Sequence, residues 1–229
     1  MRTAIVTGAS RGLGLALASA LADRGWALVI DARHGPALDR AAVDLARRTT
    51  VRAIAGDVAD PVHRKALVTA ARGLGELDAV VNNASLLGPS PQPPLVVYPL
   101  DVLRQVYEVN VFGPLALVQE ALPYLRPGAA VVNITSDAAV EAYAGWGGYG
   151  SSKAALEQLT AVLAEEQPQL RVYRVDPGDL RTQMHQEAFP GEDISDRPLP
   201  DVAVPGLVAL IDGEIASGRH RAQEVVVPV

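Results

Sequence analysis

The sequence contains no cysteine, which excludes disulfides, thiolate metal sites and cysteine nucleophiles and fits a reducing compartment. No segment approaches the roughly 18 uninterrupted apolar residues of a membrane span. A turn-rich motif already begins at Thr7, so neither a signal peptide nor a membrane partner is expected, and a cytoplasmic location is. Basic runs that would neutralise phosphates are missing too. With 20 Lys and Arg against 26 Asp and Glu, the formal net charge is -6, and no nucleic acid partner is expected. His34, His63, His185 and His220 are scattered without metal-ligand spacing, so packing or surface roles are expected of them, and no metal site. Internal repeats and low-complexity tracts are absent as well.

What remains is a chain of 229 residues, 49% hydrophobic and 20% charged, the size and apolar content of one compact domain. Apolar runs recur at Thr3–Val6, Ala27–Ile30, Val51–Ala55, Ala79–Val81, Ala130–Ile134, Val172–Val175 and Val225–Val227, and read as about seven short buried strands. Stretches with helical spacing lie between them: Leu13–Arg24, Ala37–Arg48, Val62–Ala71, Leu100–Tyr124, Ser152–Glu165 and Asp201–Ala216. Alternation of strand and helix implies an α/β fold, a Rossmann-like doubly wound parallel sheet with helices on both faces. Its ligands sit beyond the carboxyl ends of the strands. The proline-rich segments Gly88–Pro94 and Phe189–Pro200 read as loops. About 50 residues follow Pro177-Gly178, too few for a separate domain of roughly 100, so residues 1–229 are expected to form one domain.

The first strand runs into Thr7-Gly8-Ala9-Ser10-Arg11-Gly12-Leu13-Gly14, and a helix follows. Glycines let backbone approach a pyrophosphate, and the helix amino terminus offers unpaired N–H groups and a positive dipole end. Gly8, Ser10, Arg11, Gly12, Leu13 and Gly14 are therefore candidate cofactor contacts; a tight structural turn is the bland alternative. The second strand ends in Asp31-Ala32-Arg33. Strand register puts Ala32 at the ribose, with Arg33 after it and Arg11 in the loop, and two arginines suit a 2'-phosphate. NADP(H) is thus preferred. A register one residue different would return Asp31 to the ribose and make NAD(H) possible. Asp57 and Val58, after the third strand, fall beside the adenine, with a helix-capping Asp57 as the simpler alternative.

Ser136 follows the fifth strand, and Tyr149 and Lys153 share a face of the next helical segment at i and i+4. A lysine cation there lowers the phenol toward neutrality, which makes Tyr149 a usable acid or base. Ser136 at a strand's carboxyl end is placed to hydrogen-bond a substrate oxygen as charge develops.

The ordered set Thr7 to Gly14, Asn82-Asn83-Ala84, Asn110, Ser136, Tyr149 with Lys153, and Pro177-Gly178 resembles the short-chain dehydrogenase/reductase family over residues 3–182. The resemblance implies a catalytic tetrad of Asn110, Ser136, Tyr149 and Lys153, in which Asn110 holds a water that joins Lys153 to solvent and Lys153 binds the nicotinamide ribose. It also implies cofactor contacts from Tyr149, Asn83, Ala84, Pro177, Gly178, Leu180 and Thr182. An amide that satisfies broken helix hydrogen bonds near Gly113 and Pro114 is the structural alternative for Asn110. A turn after a strand is that for Pro177-Gly178, and a helix cap that for Thr182.

Where the family usually reads Asn-Asn-Ala-Gly, this chain has Ser85. The segment 183–200 takes the place of a substrate-covering loop, with Met184, His185 and Phe189 as pocket walls. Leu86, Leu87, Ala138, Tyr143 and Trp146 flank the proposed centre and suit a partly apolar pocket. The function expected is reversible reduction of a small-molecule carbonyl or oxidation of an alcohol, with hydride from the nicotinamide and proton from Tyr149. A catalytically idle NADP(H) sensor or scaffold is the alternative from another class, and an isomerase or dehydratase on the same tetrad a third. The resemblance suggests a homodimer or homotetramer built on helices near Val102–Leu122 and Ser152–Leu163.

Overall fold

Side chains on a strand point alternately to its two faces, so strands apolar at every position need a cover on each side. In the computed structural model, which describes residues 1–226, seven parallel strands form one sheet in the order β3-β2-β1-β4-β5-β6-β7. They are β1 (Thr3–Val6), β2 (Ala27–Ala32), β3 (Val51–Ala55), β4 (Leu77–Asn82), β5 (Leu125–Ile134), β6 (Arg171–Asp176) and β7 (Gly218–Arg221). The helices are α1 (Gly12–Asp23), α2 (Gly35–Leu45), α3 (Pro61–Arg72), α4 (Leu100–Tyr107), α5 (Gly113–Ala121), α6 (Gly147–Glu166), α7 (Gln183–Ala188) and α8 (Val204–Asp212).

The period of two sorts the core into two layers. Ala4, Val6, Leu28, Ile30, Val81 and Val132 pack with Leu17 and Leu21 of α1, Leu38 of α2 and Leu207 of α8. Ile5, Val29, Val80 and Val131 pack on the opposite face with Leu67 and Val68 of α3 and Leu117 and Val118 of α5. Each Val, Leu and Ile side chain among these contributes roughly 1.5–3 kcal/mol by leaving water, which holds the central strands rigid beneath the loops. The chain works outward from β1 to β3, then crosses back to lay β4 on the other side of β1. A crevice therefore opens beyond the carboxyl ends of β1 and β4.

Four details depart from the sequence reading. The expected last strand, Val225–Val227, is not one. Val225 and Val226 follow a 3-10 turn at Ala222–Glu224, and Val227 lies outside the described residues. The seventh strand is the polar Gly218–Arg221, paired with β6 from Tyr173↔Gly218 to Asp176↔Arg221. An edge strand is held by backbone pairing and needs no apolar run, and Arg219 is fastened by ion pairs to Glu157 and Asp176. At the other edge β3 is not buried, since Arg52, Ala53 and Ala55 are exposed. The long helical stretch 100–124 is divided into α4, a π-helical turn at Glu108–Phe112, α5 and a 3-10 turn at Leu122–Tyr124. Pro114 explains part of the break, because it has no N–H to give the carbonyl of Asn110. Finally, the segment 183–200 begins as the short helix α7, capped by Thr182, whose Oγ1 accepts from His185 N–H at 3.2 Å. The cap reading of Thr182 is thus realised.

A buried polar chain ties α6 to the sheet. Asn82 Nδ2 donates to Asn133 Oδ1, and Asn133 Nδ2 donates to Thr160 Oγ1, each at 2.7 Å. Replacing Asn133 leaves the Asn82 amide only a long 3.5 Å contact to the Pro114 carbonyl and takes a donor from Thr160 in a dry interior. Asn133→Ala is expected to lower unfolding free energy by about 2–4 kcal/mol, read as a lower urea midpoint at unchanged slope.

Candidate active site

The amino terminus of α1 opens on the crevice with no side-chain cap and no acid in its first turn, so its first N–H groups face outward unsatisfied. Gly8 and Gly12 lead into it at φ +66° and +56°, conformations that side-chain-bearing residues avoid. Gly14 acts differently. It is buried, and a Cβ there would stand 2.5 Å from both the Gly8 oxygen and Asn83 Nδ2, so its task is to let the helix close on the loop.

Two sets of side chains hold this loop. Thr7 Oγ1 accepts from the N–H groups of Asn83 and Ala84, each at 3.0 Å, and Asn83 Nδ2 donates to the carbonyls of Thr7 at 2.8 Å and Gly8 at 3.2 Å. Asn83 thus braces the loop after β1 from the loop after β4. Beneath, Asp31 is 1% exposed with both oxygens engaged. Oδ1 accepts from Gly8 N–H at 2.7 Å, and Oδ2 pairs with His63 Nε2 at 2.9 Å. The carboxylate that would reach a ribose is therefore used inside the fold. His63 is buried, as the packing role expected of it requires.

A cavity of about 910 Å³ runs from this loop to α6. Gly8, Ser10, Arg11, Gly12 and Leu13 line one end, together with Ala32, Arg33, Asp57 and Val58. Arg33 is exposed, and Arg11 reaches across to Gln183 Oε1 of α7. Asp57 forms a local turn by accepting from Ala59 N–H at 2.9 Å, while Asp60 caps α3 by accepting from Val62 N–H at 2.8 Å. The cap considered for Asp57 therefore belongs to its neighbour. Asn83 and Ala84 form the middle of the wall, and Pro177, Gly178, Leu180 and Thr182 close it opposite. Gly178 has φ +76°, and its N–H donates to Asp176 Oδ1 at 2.9 Å, which makes Pro177-Gly178 a turn after β6 and a cavity wall together.

At the other end Ser136, Tyr149 and Lys153 line the same space. The first two turns of α6 carry Tyr149 and Lys153 inward, and Lys153 Nζ lies 5.6 Å from the phenol ring centroid. The ammonium does not act on the phenol as expected. It donates to the carbonyl of Ile134 at 2.7 Å, and burial lowers its pKa to about 8. Burial is likewise the largest influence on Tyr149 and pushes its pKa above the ordinary value. The Ser85 hydroxyl pulls it down, while the charges of Asp137 and Asp176 push it up. The drop toward neutrality expected from a Tyr-x-x-x-Lys pair is thus outweighed by desolvation. Ser136 Oγ donates to Asp137 Oδ1 at 2.8 Å and accepts from Ala138 N–H at 3.2 Å.

Asn110 lies behind the cavity, fully buried. Its Oδ1 accepts from Leu86 N–H at 2.7 Å and from Ser85 Oγ at 3.1 Å. Its Nδ2 donates to the Leu86 carbonyl at 2.9 Å and to Ser152 Oγ at 3.0 Å. The amide is fully committed to the fold, so any water bound at this residue must use the backbone carbonyl that Pro114 leaves without an i+4 donor.

The walls beyond Tyr149 are apolar. Leu87 and Ala138 cluster with the Tyr149 ring, and Trp146 stands edge-on to Tyr149 at 5.9 Å and against Phe189 at 5.8 Å. Leu86, Leu87, Trp146, Met184 and His185 reach the cavity. Ala138, Tyr143 and Phe189 do not line it. The Tyr143 hydroxyl, with one proton to give, instead lies between two carboxylate acceptors, Asp137 Oδ2 at 3.0 Å and Glu141 Oε2 at 2.9 Å.

A glycine loop at the switch point of a parallel sheet, with a tyrosine and lysine at the far end of the same crevice, defines a doubly wound protein of the nucleotide-binding kind. The chain belongs to the short chain dehydrogenase family, an oxidoreductase family whose model matches residues 2–193. It is similar to tropinone reductase-like 3 of Erythroxylum coca, 36% identical over 84% of this chain and 75% of that one. Its fold matches a putative short chain dehydrogenase from Pseudomonas syringae at a TM-score of 0.90, with 30% identity over 97% of this chain and 94% of the other. It also matches a short chain dehydrogenase from Shigella flexneri complexed with NADP, at a TM-score of 0.87 and 30% identity over 97% of each chain.

The glycine motif marks the loop residues but not their supports. In the sequence Asp31 reads only as a ribose ligand, and no local pattern pairs it with His63, 32 positions away. Thr7 stands inside the recognised motif, so its spacing from the Asn82-Asn83-Ala84 turn was the available signal.

The buried lysine has a consequence for stability. Its folded pKa of about 8 lies below the unfolded 10.5, so between those values the unfolded chain binds more protons and stability rises with pH. Below about pH 8 the folded ammonium carries the full penalty, roughly 3 kcal/mol. Lys153→Met in the cofactor-free protein should therefore be more stable than wild type at pH 7, by up to about 3 kcal/mol, with the gain fading as pH rises from about 8 to 10.5. Thermal unfolding across that range checks both size and sign.

Proposed function

We propose that the protein is an NADP(H)-dependent carbonyl reductase or alcohol dehydrogenase in which Tyr149 exchanges the proton. The observation that carries this reading is one continuous cavity, with unpaired helix N–H groups and two arginines at one end and the Tyr149 phenol at the other.

The residues present fit the cofactor. The left-handed Gly8 and Gly12 leave a cradle at the uncapped start of α1, which suits a pyrophosphate. Arg33 and Arg11 suit a 2'-phosphate, and the engagement of Asp31 with Gly8 and His63 withdraws that carboxylate from a ribose hydroxyl. That the Shigella flexneri relative was crystallised with NADP supports the same choice. When bound, the reduced nicotinamide supplies the hydride.

On the protein side, Tyr149 passes its proton to the carbonyl oxygen as the carbon is reduced, and takes one back in the reverse direction. Ser136 turns its hydroxyl from Asp137 toward that oxygen and stabilises developing charge. Lys153 Nζ sits between the Ile134 carbonyl and the phenol ring, within reach of a ribose and placed to favour the phenolate once its own carbonyl bond is shared. The backbone carbonyl of Asn110 holds the water that resupplies the proton. Leu87, Trp146 and Met184 exclude other water from the reacting carbon. Leu100, Phe112 and Val162 stay exposed on α4 to α6, and we assign that surface to pairing between subunits.

Tyr149→Phe should fold, bind NADPH and lose about 100-fold or more of its turnover across a carbonyl panel, followed by loss of NADPH absorbance. Wild-type rates in that variant would sink the reading, and NADPH binding without any turnover by wild type would favour an idle sensor. Arg33→Ala should weaken NADP binding about 10–100-fold, the worth of a hydrogen bond to a charged group, and leave NAD binding nearly unchanged. Calorimetric titration with both nucleotides distinguishes this from a general loss of the site.

A further inference from the structure

Ser85 is the polar group of the reacting end for which the reading above has no task. It follows β4 at the position where the family usually has glycine, half buried, and lines the cavity with Tyr149. The substitution is not a strained accommodation, since no residue other than glycine has a positive φ among the described residues. Its hydroxyl donates to Asn110 Oδ1 at 3.1 Å, but that oxygen already receives Leu86 N–H at 2.7 Å. Asn110 therefore stays satisfied if Ser85 turns away, and the hydroxyl is free to serve elsewhere.

The group that needs a donor is next to it. Tyr149 is 8% exposed, and a phenolate there is desolvated. Lys153 spends a proton on the Ile134 carbonyl, and Ser136 is directed at Asp137. Asp137 adds a negative charge to the neighbourhood. We propose that the Ser85 hydroxyl is a catalytic donor that turns from Asn110 Oδ1 to the Tyr149 oxygen as the phenolate forms. The inference rests on Tyr149 being the proton-exchanging group. In the reduction the Tyr149 O–H bond breaks, its proton joins the carbonyl oxygen, and the electron pair stays on the phenolate. The Ser85 O–H bond remains intact and only its hydrogen-bond acceptor changes. The same hydroxyl is the neighbour that draws the phenol's pKa down against burial and the two aspartates.

Ser85→Ala and Ser85→Gly both delete the hydroxyl while differing in volume, and Tyr149→Phe serves as the control. In alcohol oxidation, where the phenolate is the base, both Ser85 variants should bind NADP within about two-fold of wild type. The pH of half-maximal kcat/KM should rise by about one unit, a roughly ten-fold loss of rate on the acid side. A second reading needs no substrate: with tyrosine labelled by 13C at Cζ, the Tyr149 signal, identified by its loss in Tyr149→Phe, should titrate about one unit higher in either variant with NADP bound.

An unshifted midpoint in either variant, or a Tyr149 signal in wild type that does not titrate below about pH 11, overturns the proposal. If Tyr149→Phe is inactive and the midpoints do not move, only the role of Ser85 fails. If Tyr149→Phe retains wild-type turnover, the assignment of Tyr149 fails with it.

Discussion

Thr7 stands where the sheet changes its direction of growth, and its hydroxyl accepts from two successive backbone N–H groups of the loop after β4. Parallel neighbours cannot be joined by a hairpin, so β1 and β4, adjacent in the sheet but 70 residues apart in the chain, have no turn to set the distance between their loops. That distance is the width of the crevice. Thr7 and Asn83 set it with side-chain hydrogen bonds, and Asp31 fixes the height of the loop from below by holding Gly8 N–H. The rest of the cavity inherits its shape from these few bonds.

The opposite end is held by a different device. α6 presents Tyr149 and Lys153 to the crevice, and a helix that long would be free to slide on an apolar sheet. Polar pairs prevent it: Asn133 with Thr160, and Thr135 with Glu157 at 2.9 Å, whose carboxylate also receives Arg219 of the edge strand at 2.9 Å. Directional bonds in a low-dielectric interior are intolerant of misalignment, so they register the helix where hydrophobic contact alone would only retain it. The polar sequence of β7 follows from this duty.

The site is also costly to its own fold. Burial depresses Lys153 and raises Tyr149, so both charged forms that the proposed proton exchange requires are disfavoured in the cofactor-free protein. A stable core would replace the lysine with an apolar residue, and its retention is the mark of function set against stability. For Tyr149, the Ser85 hydroxyl works in the opposite sense to that desolvation.

Much of the layout was legible in the chain. Apolar runs of three to five residues announced the central strands, and glycines between strand and helix marked the loop. The i, i+4 spacing of Tyr149 and Lys153 put them on one face, because each of these signals is local and follows from backbone periodicity. Of the two edge strands, Val51–Ala55 was legible and Gly218–Arg221 was not: the latter carries no apolar pattern, since its pairing is backbone to backbone with a partner more than 40 residues away. The same limit hid the Asp31–His63 pair and the saturation of the Asn110 amide. The sequence by itself determined that the fold has a crevice and which turns and helix start border it. Only the tertiary structure decided what each polar group does there, because hydrogen-bond partners and desolvation depend on neighbours brought together by packing, not on spacing along the chain.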